Sequence, residues 1–227
     1  MLSLILAGLF FIVAHVGISG TRVRDALVGA IGLRFYMVAY SLVSVVGIWW
    51  LATAYKHADY VELWGQPDWW KLVADVMMLP AFLLVVIGLT TPNPTAVAQE
   101  KLAGQAPVGI VRITRHPFLM GVALWAFLHL VANGDLASVV LFGTFLVVCL
   151  AGAPSIDAKR RRALGAGWDG FAAQSSILPF GAIAAGRNTL ALSEIGWWRI
   201  GLGVLAYVLF IGGHVHIIGV SPFPVWG

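Results

Sequence analysis

Six apolar stretches fill this chain, at 2–18, 35–54, 72–90, 117–132, 136–153 and 199–219. Most come near the roughly 17 to 25 residues with which a helix crosses a hydrocarbon core about 30 Å thick. Stretches of that length have few folding options, because in lipid only a helix or a closed barrel satisfies its own backbone polar groups. The fold class is therefore all-α, a polytopic integral membrane bundle of about six transmembrane helices. Hydrophobic residues are 60% of the 227 and charged ones 11%, against about a quarter charged in a soluble domain. A soluble fold of this size could not bury that much apolar surface. The lipid bilayer is the partner that covers it.

The cations orient the bundle. If the first stretch runs from outside to inside, the inner loops hold Arg22, Arg24, Arg34, Lys101, Arg112, Arg115, Lys159, Arg160, Arg161, Arg162, Arg187 and Arg199, and the outer loops only Lys56 and Lys71. Under the positive-inside rule this asymmetry puts both termini outside, on the periplasmic face of a bacterial inner membrane. Basic residues that flank spans do not line one soluble face, so the net charge of +4 gives no argument for nucleic acid. The first stretch reads as a retained helix, because Arg22 and Arg24 stand where an export signal needs a small-residue cleavage site. Cys149 is the single cysteine, which excludes an intrachain disulfide.

No repeat or low-complexity tract divides the chain, so residues 1–227 read as one domain. The first inner loop, 19–34, reads as a short polar reversal. The outer loop 55–71 carries Trp64, Trp69 and Trp70, residues suited to the interfacial aromatic belt. Thr91-Pro92-Asn93-Pro94 stops the third span, since two prolines remove donors and bias the residues before them away from helix. Asn133-Gly134-Asp135 is a tight outer turn with Asp135 as N-cap of the next helix. The inner segment 154–198 runs from Lys159-Arg160-Arg161-Arg162 through Trp168 and Phe171 to Ile177-Leu178-Pro179-Phe180. It predicts a basic amphipathic stretch against anionic headgroups, with simple topological anchoring as the alternative.

Polar groups in hydrocarbon are costly, so the histidines within spans are the first candidates for chemistry. His57 falls in the outer loop. His214 and His216, two apart on the last helix, point about 200° from each other and suit helix-end hydrogen bonds better than a shared metal. His15 and His129 each sit inside an apolar helix, and two neutral imidazoles from different helices are what a six-coordinate haem iron takes. A helix-to-helix hydrogen bond for each is the other reading. Arg112-Ile113-Thr114-Arg115-His116-Pro117 places proline at the first turn of the fourth helix, with His116 beside its N-terminus. Arg112 and Arg115, one turn apart there, form either an anion site for a propionate, phosphate or carboxylate, or a positive-inside anchor.

Four motifs together resemble the NnrU family: Val13-Ala14-His15-Val16-Gly17, Val61-Glu62-Leu63-Trp64, Ile110 through Pro117, and Ser176-Ile177-Leu178-Pro179-Phe180. That family includes the plant and cyanobacterial 15-cis-zeta-carotene isomerases. The resemblance implies a multi-spanning membrane protein and, in the isomerase branch, haem b bound through histidines and rotation of a central cis double bond in an apolar polyene. His15, His129 and His116 match histidines of the isomerase pattern. The isomerases carry cysteine three residues before the histidine that matches His129, where this chain has Ala126, and a histidine pair near Val148 and Cys149. Relatives linked to denitrification imply a second class of role, a non-enzymatic membrane haem or sensor protein in nitrogen-oxide metabolism. The Arg-His-Pro helix start is also similar to isoprenylcysteine carboxyl methyltransferases, over a few residues.

Depth separates the ligand candidates. Propionates meeting Arg112 and Arg115 at the inner surface suit His15, seven residues before Arg22 and about 10 Å along its helix. His129 lies 13 residues beyond His116, roughly 20 Å along the fourth helix and toward the outer face. His129 is kept as the second iron ligand on its family match, with His116 as the alternative or as a propionate partner.

Overall fold

The computed structural model describes residues 1–96 and 99–223. The side chain of Lys101, one of the inner-loop cations, lies outside the described residues. Every apolar stretch is helical, and the described residues contain no strand beyond one isolated bridge between Glu62 and Asp135. Helix α1 (Leu2–Ile12) continues as a π-helix over Val13–Ile18 and then bends by 81° into α2 (Arg22–Ile31). The other elements are α3 (Leu33–Lys56), α4 (Asp68–Thr90), the short α5 (Ile110–Ile113), α6 (Pro117–Asn133), α7 (Leu136–Leu164), α8 (Ala166–Ala173), α9 (Gly181–Ala184) and α10 (Trp197–Ile218).

Four of these, α3, α4, α7 and α10, are long and apolar enough to cross a membrane alone, and the bent pair that ends in α2 makes a fifth. The sixth expected span, α6, has only 17 residues. Pro117 at its first turn and Gly134 in the left-handed conformation at its end fix that length. Its position explains why a short helix serves. The helices pack side by side in the order α10, α4, α6, α7, α1, α3, so α6 is flanked by protein on both sides. The two edge helices turn their apolar side chains outward, as Val38, Leu42 and Trp49 of α3 and Leu205, Leu209 and Phe210 of α10 do.

Glycines set the helix spacing, as expected where lipid supplies no hydrophobic drive for association. A Cβ on Gly121 of α6 would stand 2.7 to 2.9 Å from Val85 and the Ala81 carbonyl of α4, and one on Gly88 of α4 would stand 2.9 Å from the Phe118 amide. Gly8 meets Thr144 across α1 and α7, and Gly203 meets Leu83 across α10 and α4, in the same way.

The turn Asn133-Gly134-Asp135 forms as expected. Asp135 accepts from the Ser138 amide at 3.0 Å as N-cap of α7. The Gly134 carbonyl accepts from the Leu63 amide at 2.8 Å, which docks the outer loop. The indoles of Trp64 and Trp70 donate to the carbonyls of Val131 and Leu128, at 3.0 and 3.1 Å. They satisfy acceptors that the end of α6 leaves without helical partners.

Two loop expectations are corrected. Residues 22–31 form α2 instead of a polar reversal, with Thr21 capping the first turn by accepting from the Val23 amide. The segment 154–198 is not one surface stretch. Helix α7 runs through Pro154 to Leu164, which puts the basic run on its last turns. Trp168 and Phe171 of α8 turn inward and pack with Ile87, Val111, Ile113 and Ile195 as an inner cap. Burying two aromatic rings there outweighs laying them on headgroups. Leu178 and Phe180 remain exposed, in keeping with lipid contact.

Candidate functional site

The basic end of the bundle, where α6 begins, is an ionic lock. Thr114 breaks the backbone before Pro117, donates its hydroxyl to the Ile177 carbonyl at 2.6 Å and accepts from the His116 amide at 3.2 Å. This turn aims two side chains at Asp157 of α7. The Arg115 guanidinium donates to Asp157 Oδ2 at 2.5 and 2.9 Å, and His116 Nε2 lies 2.8 Å from Oδ1. Burial pushes His116 below its ordinary pKa of 6.5 against the opposing pull of Asp157. The imidazole is therefore neutral at pH 7 and donates Nε2–H, which makes the contact a hydrogen bond and leaves Arg115 as the charge partner.

Arg112 is engaged elsewhere. It donates to both carboxylate oxygens of Glu194, at 2.7 and 2.8 Å, and to Asn188 at 2.8 Å. The Gly109 amide adds a bond of 2.8 Å to the same carboxylate. Those bonds hold Glu194 below its ordinary value of 4.5, the Arg112 hydrogen bond first among them. The two arginines, read from sequence as either a shared anion site or a positive-inside anchor, thus bind two different carboxylates of the protein. Arg160, from the basic run, is buried against Glu100 and the Ala96 carbonyl.

His15 and His129 occupy separate places in the membrane body. His15 lies in the π-helical turn, a distortion that recurs at functional sites. Its Nδ1 is 2.9 Å from the Phe11 carbonyl, so Nδ1 carries the proton and Nε2 the lone pair. Ser44 Oγ stands 3.5 Å from that Nε2, but its proton goes to the Tyr40 carbonyl at 2.8 Å. His129 Nδ1 likewise donates to the Trp125 carbonyl, at 2.9 Å. Its ring stacks on Phe142 with centroids 4.9 Å apart and meets Trp125 at 5.1 Å. Between the two imidazoles runs an aromatic ladder. His15 meets Phe11 at 4.0 Å, Phe11 meets Phe145 at 5.5 Å, and Phe145 meets Trp125 at 5.6 Å. These three rings link the two imidazoles, and among the described residues no hydrogen bond or ring contact joins His15 to His129 directly. His116 is at the far end of α6 from His129 and is spent on Asp157.

Three roles emerge only in the folded chain, those of Asp157, Glu194 and His214. His214 of α10 has its ring centroid 6.4 Å from that of His129. Helical spacing of Ala153, Asp157 and Arg160, an acid one turn from a buried small residue, is the available sign for Asp157. Arg112 and Glu194 are 82 residues apart, and no local pattern links them.

These features define a multi-pass helical membrane protein, closed at its basic end by an ionic cap and threaded by an imidazole and aromatic ladder. The chain belongs to the NnrU family, described as NnrU protein, which matches over residues 3–222. It is 30% identical over 82 residues to the 15-cis-zeta-carotene isomerase, chloroplastic, of Arabidopsis thaliana, and 32% identical over 82 residues to the protein of that name in Zea mays. Each match takes in 36% of this chain and 22% of the relative's length. No solved structure matches the chain.

Proposed function

We propose that this protein is a membrane-embedded cis-trans isomerase of a long apolar polyene, with haem b as its cofactor, seated in a bacterial inner membrane with both termini periplasmic. Similarity to the two plant isomerases supports the reaction class. The outward apolar faces of α3 and α10 support a substrate drawn from the bilayer. The observation that carries the reading is His129, a neutral imidazole whose proton is tied to Trp125 and whose Nε2 lone pair is left for a metal amid aromatic rings.

When bound, haem b supplies a Lewis-acid centre that draws density from a conjugated chain and lowers the rotation barrier of one double bond. The Trp125 carbonyl sets the tautomer and orientation of His129. Trp125 and Phe142 exclude water around it and offer flat apolar faces along which a polyene can lie. The Arg115, His116 and Asp157 lock fixes α6 against α7, which keeps Phe142 on the His129 ring. The test is a culture that accumulates 15-cis-zeta-carotene and expresses this chain. Chromatography should find that isomer depleted, and depletion should vanish with His129→Ala. An unchanged isomer ratio with the protein present in the membrane overturns the proposal.

A further inference from the structure

Arg199, in the first turn of α10, is tied down without being neutralised. It donates Nε–H to the Thr90 carbonyl at 3.2 Å and Nη1–H to the Ile195 carbonyl at 2.9 Å. Its guanidinium carbon stands 4.7 Å from the centre of the Trp198 ring. Carbonyls and an indole face orient a guanidinium but carry no countercharge, and the Nη2 amino group meets no acceptor among the described residues. Arg112, Arg115 and Arg160 each have a carboxylate instead. Arg187 also serves only carbonyls, those of Ala173 and Ser175. What distinguishes Arg199 is the space beside it.

That space is a cleft of about 260 Å³ between the end of α4, α5, α8 and the start of α10. Leu102, Val108 and Phe171 are among its apolar walls, and Arg199 and Thr91 bring polar groups to it. Thr91 Oγ1 is buried and has no hydrogen-bond partner among the described residues, an orphaned hydroxyl of the kind that costs stability until an acceptor meets it. Glu194 also lines the cleft, but Arg112 holds both its oxygens and the Gly109 amide adds a further bond. The charge left facing the cleft is therefore that of Arg199. Drug-sized ligands fill about 300 to 1,000 Å³, so the cleft takes a headgroup and the first carbons of a chain, and not a whole polyene. The neighbouring Trp197 and Trp198 are 85% and 47% exposed, as indoles at a membrane–water boundary are. The cleft opens at headgroup level, where lipids are the molecules at hand. Leu202, one turn along α10 from Arg199, is exposed and apolar, a track for an acyl chain.

We infer that this cleft holds one anionic phospholipid, its phosphate on Arg199 and its acyl chain leaving along α10. The phosphate supplies the countercharge that Arg199 lacks and an acceptor for Thr91. A zwitterionic lipid would set a second cation beside the guanidinium. Bound there, the lipid bridges α4, α5 and α10, at the opposite end of α6 from His129.

The test titrates the full chain, delipidated in detergent, with phosphatidylglycerol or with phosphatidylcholine of the same acyl chains, and counts bound lipid by native mass spectrometry. One phosphatidylglycerol per chain should bind about tenfold more tightly than phosphatidylcholine, the size of one charge-assisted hydrogen bond. Val108→Glu puts a like charge in the cleft at a residue 52% exposed, and should erase that preference. Arg199→Gln should do the same. It also frees the Thr90 and Ile195 carbonyls, so Val108→Glu decides the matter if Arg199→Gln fails to fold. Thr91→Val should weaken phosphatidylglycerol severalfold without lowering the melting temperature of the lipid-free protein, because its hydroxyl has no partner to lose. Equal affinity for the two lipids overturns the inference, as does a wild-type preference in Val108→Glu. Inorganic phosphate that binds as tightly as phosphatidylglycerol supports an anion site on Arg199 and overturns the lipid as its occupant.

Discussion

Replacing Asp157 with alanine tests whether the inner end is locked or merely decorated with charge. The carboxylate side chain is 9% exposed and serves Arg115, whose side chain is 13% exposed, and His116, at 1%. Removing it leaves a nearly buried guanidinium with no counter-charge and a buried imidazole N–H with no acceptor. Breaking such a pair from one side costs about 3 to 5 kcal/mol. For a chain of 227 residues, roughly 2 to 4 °C of melting temperature per kcal/mol makes this a fall of about 6 to 20 °C. The assay is thermal unfolding in detergent, followed by tryptophan fluorescence. Arg115→Met with Asp157→Leu should recover much of the loss, because an apolar pair of similar volume removes the orphaned charge along with its partner. A fall under about 2 °C for Asp157→Ala, the range of an exposed pair, would refute the buried lock. So would a double variant whose loss is the sum of the two single ones.

Other perturbations probe other parts of the fold. Gly134→Ala should destabilise by more than about 1 kcal/mol, because φ is 66° there and a Cβ would collide with the Gly65 carbonyl oxygen; a melting temperature equal to the wild type counts against that turn. Gly121→Leu should cost about 1 to 3 kcal/mol by forcing α6 away from α4, and an unchanged melting curve would show that the two backbones are not in close approach. Glu194 has its pKa lowered on folding, so its bond to Arg112 contributes fully above the ordinary 4.5 and is lost as pH falls through the lowered value. Protection against hydrogen exchange at 186–196, taken relative to the intrinsic rate at each pH, should therefore fall only in acid, and Glu194→Gln should make it low and independent of pH.

The spans were legible because hydrocarbon enforces one rule on every residue it touches. A helix that satisfies its own backbone shows as a continuous apolar run, and helix ends carry local chemistry such as the two prolines after Thr91 or the Asp135 cap. The inner cap was not legible. Trp168 and Phe171 lie beside four consecutive cations in sequence, which reads as an interfacial helix, yet they turn inward because α4 and α5 present Ile87, Val111 and Ile113 to them. Periodicity along one element does not say which partner covers its apolar face. Arg112 shows the same limit, since its carboxylate lies 82 residues away and the nearer Arg115 left a shared anion and a topological anchor as equal readings.

The two ends of the bundle divide stability from chemistry. At the basic end Arg112, Arg115 and Arg160 each have a carboxylate, and the neutral His116 completes the lock, so this end is built to hold α5, α6, α7 and the inner cap together. None of these three cations is left to bind an anion brought from outside unless a carboxylate of the protein is first displaced. Toward the other end the balance reverses, with the proton of His129 held by the Trp125 carbonyl and its ring set between Trp125 and Phe142. Reactive capacity requires an unmet group, and an unmet group is tolerated only where the surrounding frame does not depend on it. Substitution at Asp157 should therefore lower stability and activity together, whereas substitution at His129 should remove metal and activity while the melting temperature of the metal-free protein stays within about 2 °C of the metal-free wild type.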